Sequence, residues 1–308
     1  MSANALSYFK RVFNAMGSPC EILLAAESKS QADSAIKAVI SDVGRLEAKY
    51  SRYRNDSFLS DINRIAADGG RIIVDDETAG LLNYAAACYE QSGGLFDISS
   101  GILRRVWRMD RNELPEPGQV KQMLEHVGWH KLLWNAPVLE FPQPGMELDF
   151  GGVVKEYAAD RAAGLCWEAG IRYGVINLGG DIKIIGPRID GGPWRIGIRD
   201  PRNKDGVMRT VMMREGALAS SGDYERCITV DGVRFGHVLN PKTGYPVRHL
   251  TAVSVIADFC VVAGSASTIA MLKEHDGPKW LAGLGLPYMW VDVRKRVGGQ
   301  LGKRGSGK

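Results

Sequence analysis

LDFGGVVKEYAADRAAGLCWEAG, Leu148 to Gly170, changes its period part-way along. Leu148 and Phe150 share one side of an extended segment and Asp149 takes the other, the period of two that marks a strand. Gly151 and Gly152 then allow a tight turn, because a residue without Cβ reaches φ > 0 at little cost. From Val154 the apolar positions recur at helical spacing, through Ala158, Ala162, Leu165 and Ala169. Glu156, Asp160, Arg161 and Glu168 fall mostly on other faces. A strand that turns on glycine into a helix presents bare N–H groups and a positive dipole end, which suits a phosphate. Asp149 and Lys155 are the polar groups at that mouth. The stretch by itself also fits an ordinary glycine-rich turn with an exposed Asp and Lys, since such turns are common.

Working outward, the segments before it predict a strand over Cys20–Leu24, a long helix over Ala35–Lys49 and a short strand over Ile72–Val74. An amphipathic helix over Glu77–Ser92 is stopped by Gly93 and Gly94. Ser57 or Asp56 is placed to cap a short helical run, and Asp97 or Ser99 another. Short elements are expected at Val120–His126 (helix), Lys131–Trp134 (strand) and Met146–Phe150 (strand). Downstream, strands are expected at Gly174–Leu178, Trp194–Pro201, Arg209–Met213, Gly216–Ser220, Leu250–Ala257 and Tyr288–Val293. A hairpin turns through Asp231 and Gly232, and a helix covers Val261–Glu274. Strands and helices mix without strict βαβ alternation, which predicts an α+β fold in one domain over residues 1–292. The complete GxGxxG dinucleotide fingerprint is missing.

Composition narrows the function classes. The chain has 308 residues, 45% hydrophobic and 24% charged, the balance of a globular protein. Its formal net charge is only +4, and part of that sits in a polar, glycine-rich tail from Val293 to Lys308 that reads as frayed or disordered. No basic cluster with interleaved aromatics argues for nucleic acid. The five cysteines contain no CxxC pair, against a zinc site or a disulfide framework. No apolar run approaches ~18 residues, so no membrane insertion is expected. The N-terminus shows neither a long apolar run nor a cysteine after one, and the chain reads as cytoplasmic.

His237 lies between a strand end and the turn formed by Asn240, Pro241, Thr243 and Gly244, which makes it a candidate base, although a lone His is more often structural. Ser220, Ser221, Gly222, Asp223 and Tyr224 suit either a capped turn or a ligand grip. Ser221, His237 and Asp223 are also the residue types of a hydrolytic triad, but no GxSxG elbow accompanies them.

Eight segments in one order resemble the FAD:protein FMN transferases, the ApbE-like flavin transferases: AMGSPCEI, SRYRNDSFLSDIN, GGLFDISSG, LDFGGVVKEYAAD, INLGGDI, WRIGIRDP, ALASSGDYER and HVLNPKTGYPV. The resemblance runs from Met16 to about Leu272. It implies a two-lobed α+β fold with FAD in a cleft between the lobes. It implies transfer of the FMN half of FAD to a Thr or Ser hydroxyl of an acceptor flavoprotein, release of AMP, and help from magnesium. Carried over, Met16, Tyr53, Leu95, Phe96, Asp97, Asp149, Lys155 and Leu239 would line the FAD site. Ser221, Gly222, Asp223 and Tyr224 match a TSGDY-like segment, with Ser220 in place of the usual Thr, and His237 matches the residue that activates the acceptor hydroxyl. Gly152, through its carbonyl, and Thr268 would hold the metal.

Two departures stand beside the match. The family usually carries an acidic metal ligand four residues before the Thr, and here that position is Gly264. Asp258, six residues earlier still, is a candidate substitute. The family's KGYA pattern reads KEYA here, and a carboxylate at Glu156 is expected to face water rather than to crowd or repel a phosphate. Gly264 therefore motivates a second reading, an FAD-binding carrier or assembly protein without metal-dependent catalysis. A third reading is an FAD pyrophosphatase in which water replaces the acceptor.

Overall fold

The computed structural model describes residues 6–223 and 226–302 of the chain, leaving aside the side chains of Lys204 and Asp205. Strands β1 (Ser7–Ala15) and β2 (Ser18–Ala26) form an opening hairpin. Met16 and Gly17 turn it with φ of 51° and 69°, the two positive values that a type I′ turn requires. Helix α1 (Lys29–Tyr50) starts at a Ser28 cap and buries Ile36, Val39, Val43 and Leu46 on one stripe. Helix α2 (Phe58–Asp68) is capped by Ser57 rather than Asp56. Then come β3 (Gly70–Ile73) and α3 (Asp76–Ser92), which ends on left-handed Gly93. Asp97 caps a 3₁₀ segment, Ile98–Arg105, and α4 (Pro117–Leu124) follows.

The next stretch departs from expectation. The strand expected at Lys131–Trp134 is a 3₁₀ turn over Trp129–Lys131 followed by β4 (Leu133–Asn135), which pairs with β5 (Val138–Phe141). Met146–Phe150 joins no sheet. Leu148 and Phe150 are buried as their alternation requires, but the backbone is held by a side chain and a loop. Asn63 both donates to the Leu148 carbonyl and accepts from its N–H, and Asp149 N–H donates to the Ile98 carbonyl. Alternation reports which side is buried, not whether a neighbouring strand is present.

Helix α5 (Val154–Glu168) leads to β6 (Tyr173–Leu178), β7 (Asp181–Gly186), β8 (Trp194–Asp200), β9 (Asn203–Met213) and β10 (Ala217–Gly222). The hairpin β11 (Cys227–Val230) and β12 (Val233–Gly236) turns at Asp231–Gly232 as expected. The remainder is β13 (Leu250–Ala257), α6 (Cys260–Leu272), α7 (Gly277–Leu284), β14 (Tyr288–Asp292) and β15 (Val297–Gly298).

One eight-stranded sheet in the order β1-β2-β6-β7-β10-β13-β14-β15 organises the fold, and every neighbouring pair is antiparallel. Both faces of its middle are covered, so its central strands lose the polar half of their alternation. On one face α1, α5 and α6 bury Ile185, Ala217, Ala219, Val253 and Val255. On the other, Ile196, Ile198, Val211 and Met213 of the β8–β9 ribbon pack on Ile184, Leu218 and Met289. Outside the sheet, Ile102, Leu103 and Trp107 form a separate core with Ile228 and Leu239. The expectation of a frayed tail from Val293 fails as far as Gly302. Val297 pairs with Val291, Arg296 pairs with Asp292, and Arg209 donates to the Leu301 and Gly302 carbonyls. Residues 303–308 lie outside the described residues.

Candidate active site

A cleft of about 1030 Å³ opens beside the turn at Gly151, and a smaller pocket of about 180 Å³ continues from it. Arg104, Asp149, Gly151, Lys155 and His237 line both. The larger space would hold a dinucleotide. Its wall is strongly basic, with Arg52, Arg104, Lys155, Arg199, Arg202 and Arg226 among its residues. Such a wall attracts an anion with several phosphate oxygens.

The structure gathers most of the residues expected from sequence. Met16 lines the large cleft from the first hairpin, and Tyr53, 74% exposed, is an aromatic residue of the same lining. Leu95, Phe96, Asp97, Gly152, Ser221, Gly222, Leu239 and Thr268 line the small pocket. Asp223 lines neither space. Its carboxylate takes the Arg202 guanidinium at 3.1 Å, so it acts on the cleft by holding Arg202. Tyr224 lies outside the described residues.

Several of these side chains are already committed. Asp97 accepts from Ser99 N–H at 2.8 Å, Ser99 Oγ at 2.7 Å and Trp129 N–H at 2.9 Å, which fixes the wall rather than leaving a free acceptor. Asp149 accepts from Gly151 N–H at 2.8 Å and meets Arg52 at 3.0 Å and Arg104 at 3.3 Å. Burial pushes its pKa up, but the Arg104 and Arg52 charges outweigh that and hold it below the usual carboxylate range. Lys155 Nζ lies 2.7 Å from Asp181 Oδ2. Ser221 Oγ bridges Ser267 Oγ and Thr268 Oγ1, both at 2.8 Å, tying β10 to α6.

His237 faces both spaces. Its Nδ1 is 3.3 Å from the Arg226 carbonyl, which can only accept, so the pair places the proton on Nδ1 and leaves Nε2 basic. Burial and the Arg104 charge push its pKa down to about 4, so the ring is neutral at pH 7.

Glu156 is the largest correction. It does not face water: it is 7% exposed, lines the small pocket and lies over Gly264 of α6. Its Oε2 is buried with no hydrogen-bond partner among the described residues. Burial and the nearby Asp181 charge push its pKa up. Asp258 is exposed and lines neither space. Sequence reading also passed over Asp181 and the arginines at 52, 104, 202 and 226. Asp181 was visible only as the acid of the INLGGDI segment, and the arginines come from separate parts of the chain with no common spacing.

Residues 16–290 match the sequence model of the ApbE family. The chain belongs to the ApbE family. Among curated family members, the FAD:protein FMN transferase of Treponema pallidum is 26% identical over 302 residues, which cover 87% of this chain and 82% of that one. That of Haemophilus influenzae is 28% identical over 252 residues, 78% of this chain and 72% of that one. The Rhodobacter capsulatus enzyme is 32% identical over 240 residues, and the match takes in 74% of this chain but only 45% of that relative. The solved ApbE protein of Thermotoga maritima superposes with a TM-score of 0.88 at 29% identity, over 97% of this chain and 100% of that one. The flavin transferase ApbE of Vibrio cholerae, at 22% identity, shares the fold with a TM-score of 0.82 over 96% of each chain.

Proposed function

We propose that this ApbE-family chain transfers the FMN half of FAD to a Thr or Ser hydroxyl of an acceptor flavoprotein and releases AMP. The observation that carries the reading is the position of His237: a neutral imidazole at the junction of a dinucleotide-sized basic cleft and a small polar pocket.

The chemistry follows from the residues. FAD lies in the large cleft with a ring against Tyr53 and its pyrophosphate near Lys155, Arg104 and the turn at Gly151. The acceptor hydroxyl approaches the phosphorus of the FMN half and gives its proton to Nε2 of His237. A new P–O bond forms to the acceptor oxygen, and the bond to the bridging pyrophosphate oxygen breaks, so that AMP leaves with the bonding pair. Lys155 and Arg104 stabilise the charge that gathers on the phosphate oxygens. Asp181 holds the Lys155 ammonium in place, and Asp223 holds Arg202.

The donor set also fits magnesium. The small pocket brings together Gly152, Thr268 and Glu156, whose Oε2 has no hydrogen-bond partner among the described residues. A hard cation held by one carboxylate, neutral oxygens and substrate phosphates suits such a pocket. When bound, magnesium supplies charge neutralisation at the pyrophosphate. The flavin-carrier alternative was motivated by Gly264, and the Glu156 carboxylate beside that glycine weighs against it.

Incubation with FAD, magnesium and candidate acceptor flavoproteins tests the proposal. The expected result is flavin fluorescence that stays with an acceptor through denaturing electrophoresis, with one AMP released per adduct. FAD cleaved to FMN and AMP with no adduct would support the pyrophosphatase reading instead, and absence of FAD binding would sink both.

A further inference from the structure

A Cβ placed on Gly264 would sit 2.5 Å from Glu156 Cγ, 2.8 Å from Oε1 and 2.9 Å from Cδ. No side chain at 264 coexists with this position of Glu156. The carboxylate of α5 thus fills the space that a residue on α6 would otherwise take. Thr268 is four residues after Gly264 on the same helix, so it lies on the same face about 6 Å further along. Gly152 lies four residues before Glu156, in the turn that leads into α5, with the Phe96 ring packed against it. Gly152 in the turn before α5, Glu156 on α5 and Thr268 on α6 line one pocket, with the Ser221–Thr268 hydroxyl pair at its wall.

An unpartnered buried carboxylate oxygen is costly, and native structures rarely keep one without a reason. Lys155, the adjacent cation, is turned to Asp181. We propose that Glu156 is the carboxylate ligand of a divalent-cation site completed by the Thr268 hydroxyl, the Gly152 carbonyl and pyrophosphate oxygens of the substrate, and that residue 264 is glycine to admit it. The inference rests on the FAD reading above. Glu156 and Gly264 form a unit: the acid is donated by α5 and the vacancy by α6. A carboxylate at 264 alone would collide with Glu156 and would not add a ligand.

The test is a Mn²⁺ titration followed by electron paramagnetic resonance, with FAD present, on wild type, Glu156→Gln, Gly264→Asp and the double variant E156G/G264D. Gln keeps the shape of Glu156 and removes its charge. It is expected to weaken Mn²⁺ at least about tenfold, while the thermal midpoint of the metal-free protein stays level or rises, because an unpaired buried charge has gone. A purely structural carboxylate would give a lower midpoint instead. G264D is expected to lower the midpoint. E156G/G264D, which returns one carboxylate to the shared space from the other helix, is expected to regain most of the Mn²⁺ affinity. If wild type binds FAD and Mn²⁺ and E156Q binds Mn²⁺ equally well, the inference alone falls. A folded E156G/G264D that binds no Mn²⁺ overturns the pairing of the two positions. If wild type binds no FAD, the functional reading falls first and takes the inference with it.

Discussion

The guanidinium of Arg52 lies 3.0 Å from Asp149 Oδ2, and its second nitrogen lies 2.6 Å from Glu147 Oε1. One side chain just past the end of α1 thus fixes the extended segment that runs into the glycine turn. All three side chains are largely buried. Arg52→Ala leaves two carboxylates facing each other with only Arg104 and Arg105 in support, and a loss of about 3 kcal/mol is expected. A urea midpoint that falls with an unchanged slope would report it. The acid dependence should change as well. Asp149 has a depressed pKa in the folded state, so its contribution is present above the ordinary carboxylate range and is lost as pH falls through the lowered value. With Arg52 gone that depression shrinks, and the loss of stability on acidification should become shallower.

His237 predicts a pH profile. Its folded pKa of about 4 lies below the ordinary 6.5, so the free base persists far into the acidic range. The acidic limb of kcat/KM should fall near pH 4, not near pH 6.5. His237→Gln should cut kcat about 10²–10⁴-fold, the usual worth of a general base, with little change in FAD affinity. Linkage gives an independent check. The unfolded chain binds a proton near pH 6.5 that the folded chain refuses until about 4, so stability falls as pH drops through that window. Removing the imidazole should flatten this part of the curve. An acidic limb at pH 6.5 would show that His237 is not the titrating base.

Lys155 and Asp181 should separate stability from binding. Lys155→Met removes a cation 2.7 Å from a carboxylate that is 2% exposed and leaves Asp181 facing Glu156. FAD affinity should fall about 10- to 100-fold, the worth of a charge-assisted contact to phosphate, and the thermal midpoint should drop. In Lys155→Met/Asp181→Asn the stability should recover, because the unpaired charge is gone, while the FAD affinity should not. Recovery of both would mean that Lys155 acts only by satisfying Asp181. Flavin fluorescence titration beside thermal melting distinguishes these outcomes.

What the sequence shows and hides follows from range. Caps are local, so Ser57 and Asp97 sit where a small polar residue before a helical run should sit. The α5 period was legible, but its faces were not. This helix lies between α1, α6 and the sheet, so it buries Ala159 and Ala163 as well as Ala158 and Ala162, and Glu156 falls on a buried side where a single-stripe reading puts solvent. The vacancy that admits Glu156 is created 108 residues later, at Gly264, and no local signal joins them. Leu148–Phe150 shows the same limit. Its alternation marks burial correctly, while the partner that replaces a strand is Asn63 on a distant helix.

Two glycine-to-alanine changes should move stability in opposite directions, decided by space alone. A Cβ at Gly101 would lie 2.7 Å from Asp149 Cβ and 3.2 Å from Asp149 N, and neither is the end of a flexible chain that can swing aside. Gly101→Ala should cost about 1–3 kcal/mol by overpacking. Because the strain is relieved only by moving Asp149 and the glycine turn after it, FAD affinity should fall along with the thermal midpoint. Gly164, inside α5, has nothing within 4 Å of the same added atom. Gly164→Ala should therefore gain up to about 1 kcal/mol, from helix propensity and a smaller loss of unfolded-chain entropy. It is remote from both spaces of the site, so FAD affinity should stay constant. Opposite shifts in melting, with FAD binding weakened only in Gly101→Ala, would tie the close approach of Gly101 to the ligand-facing turn. A Gly101→Ala protein that melts and binds like wild type would show that Asp149 has room to move without consequence.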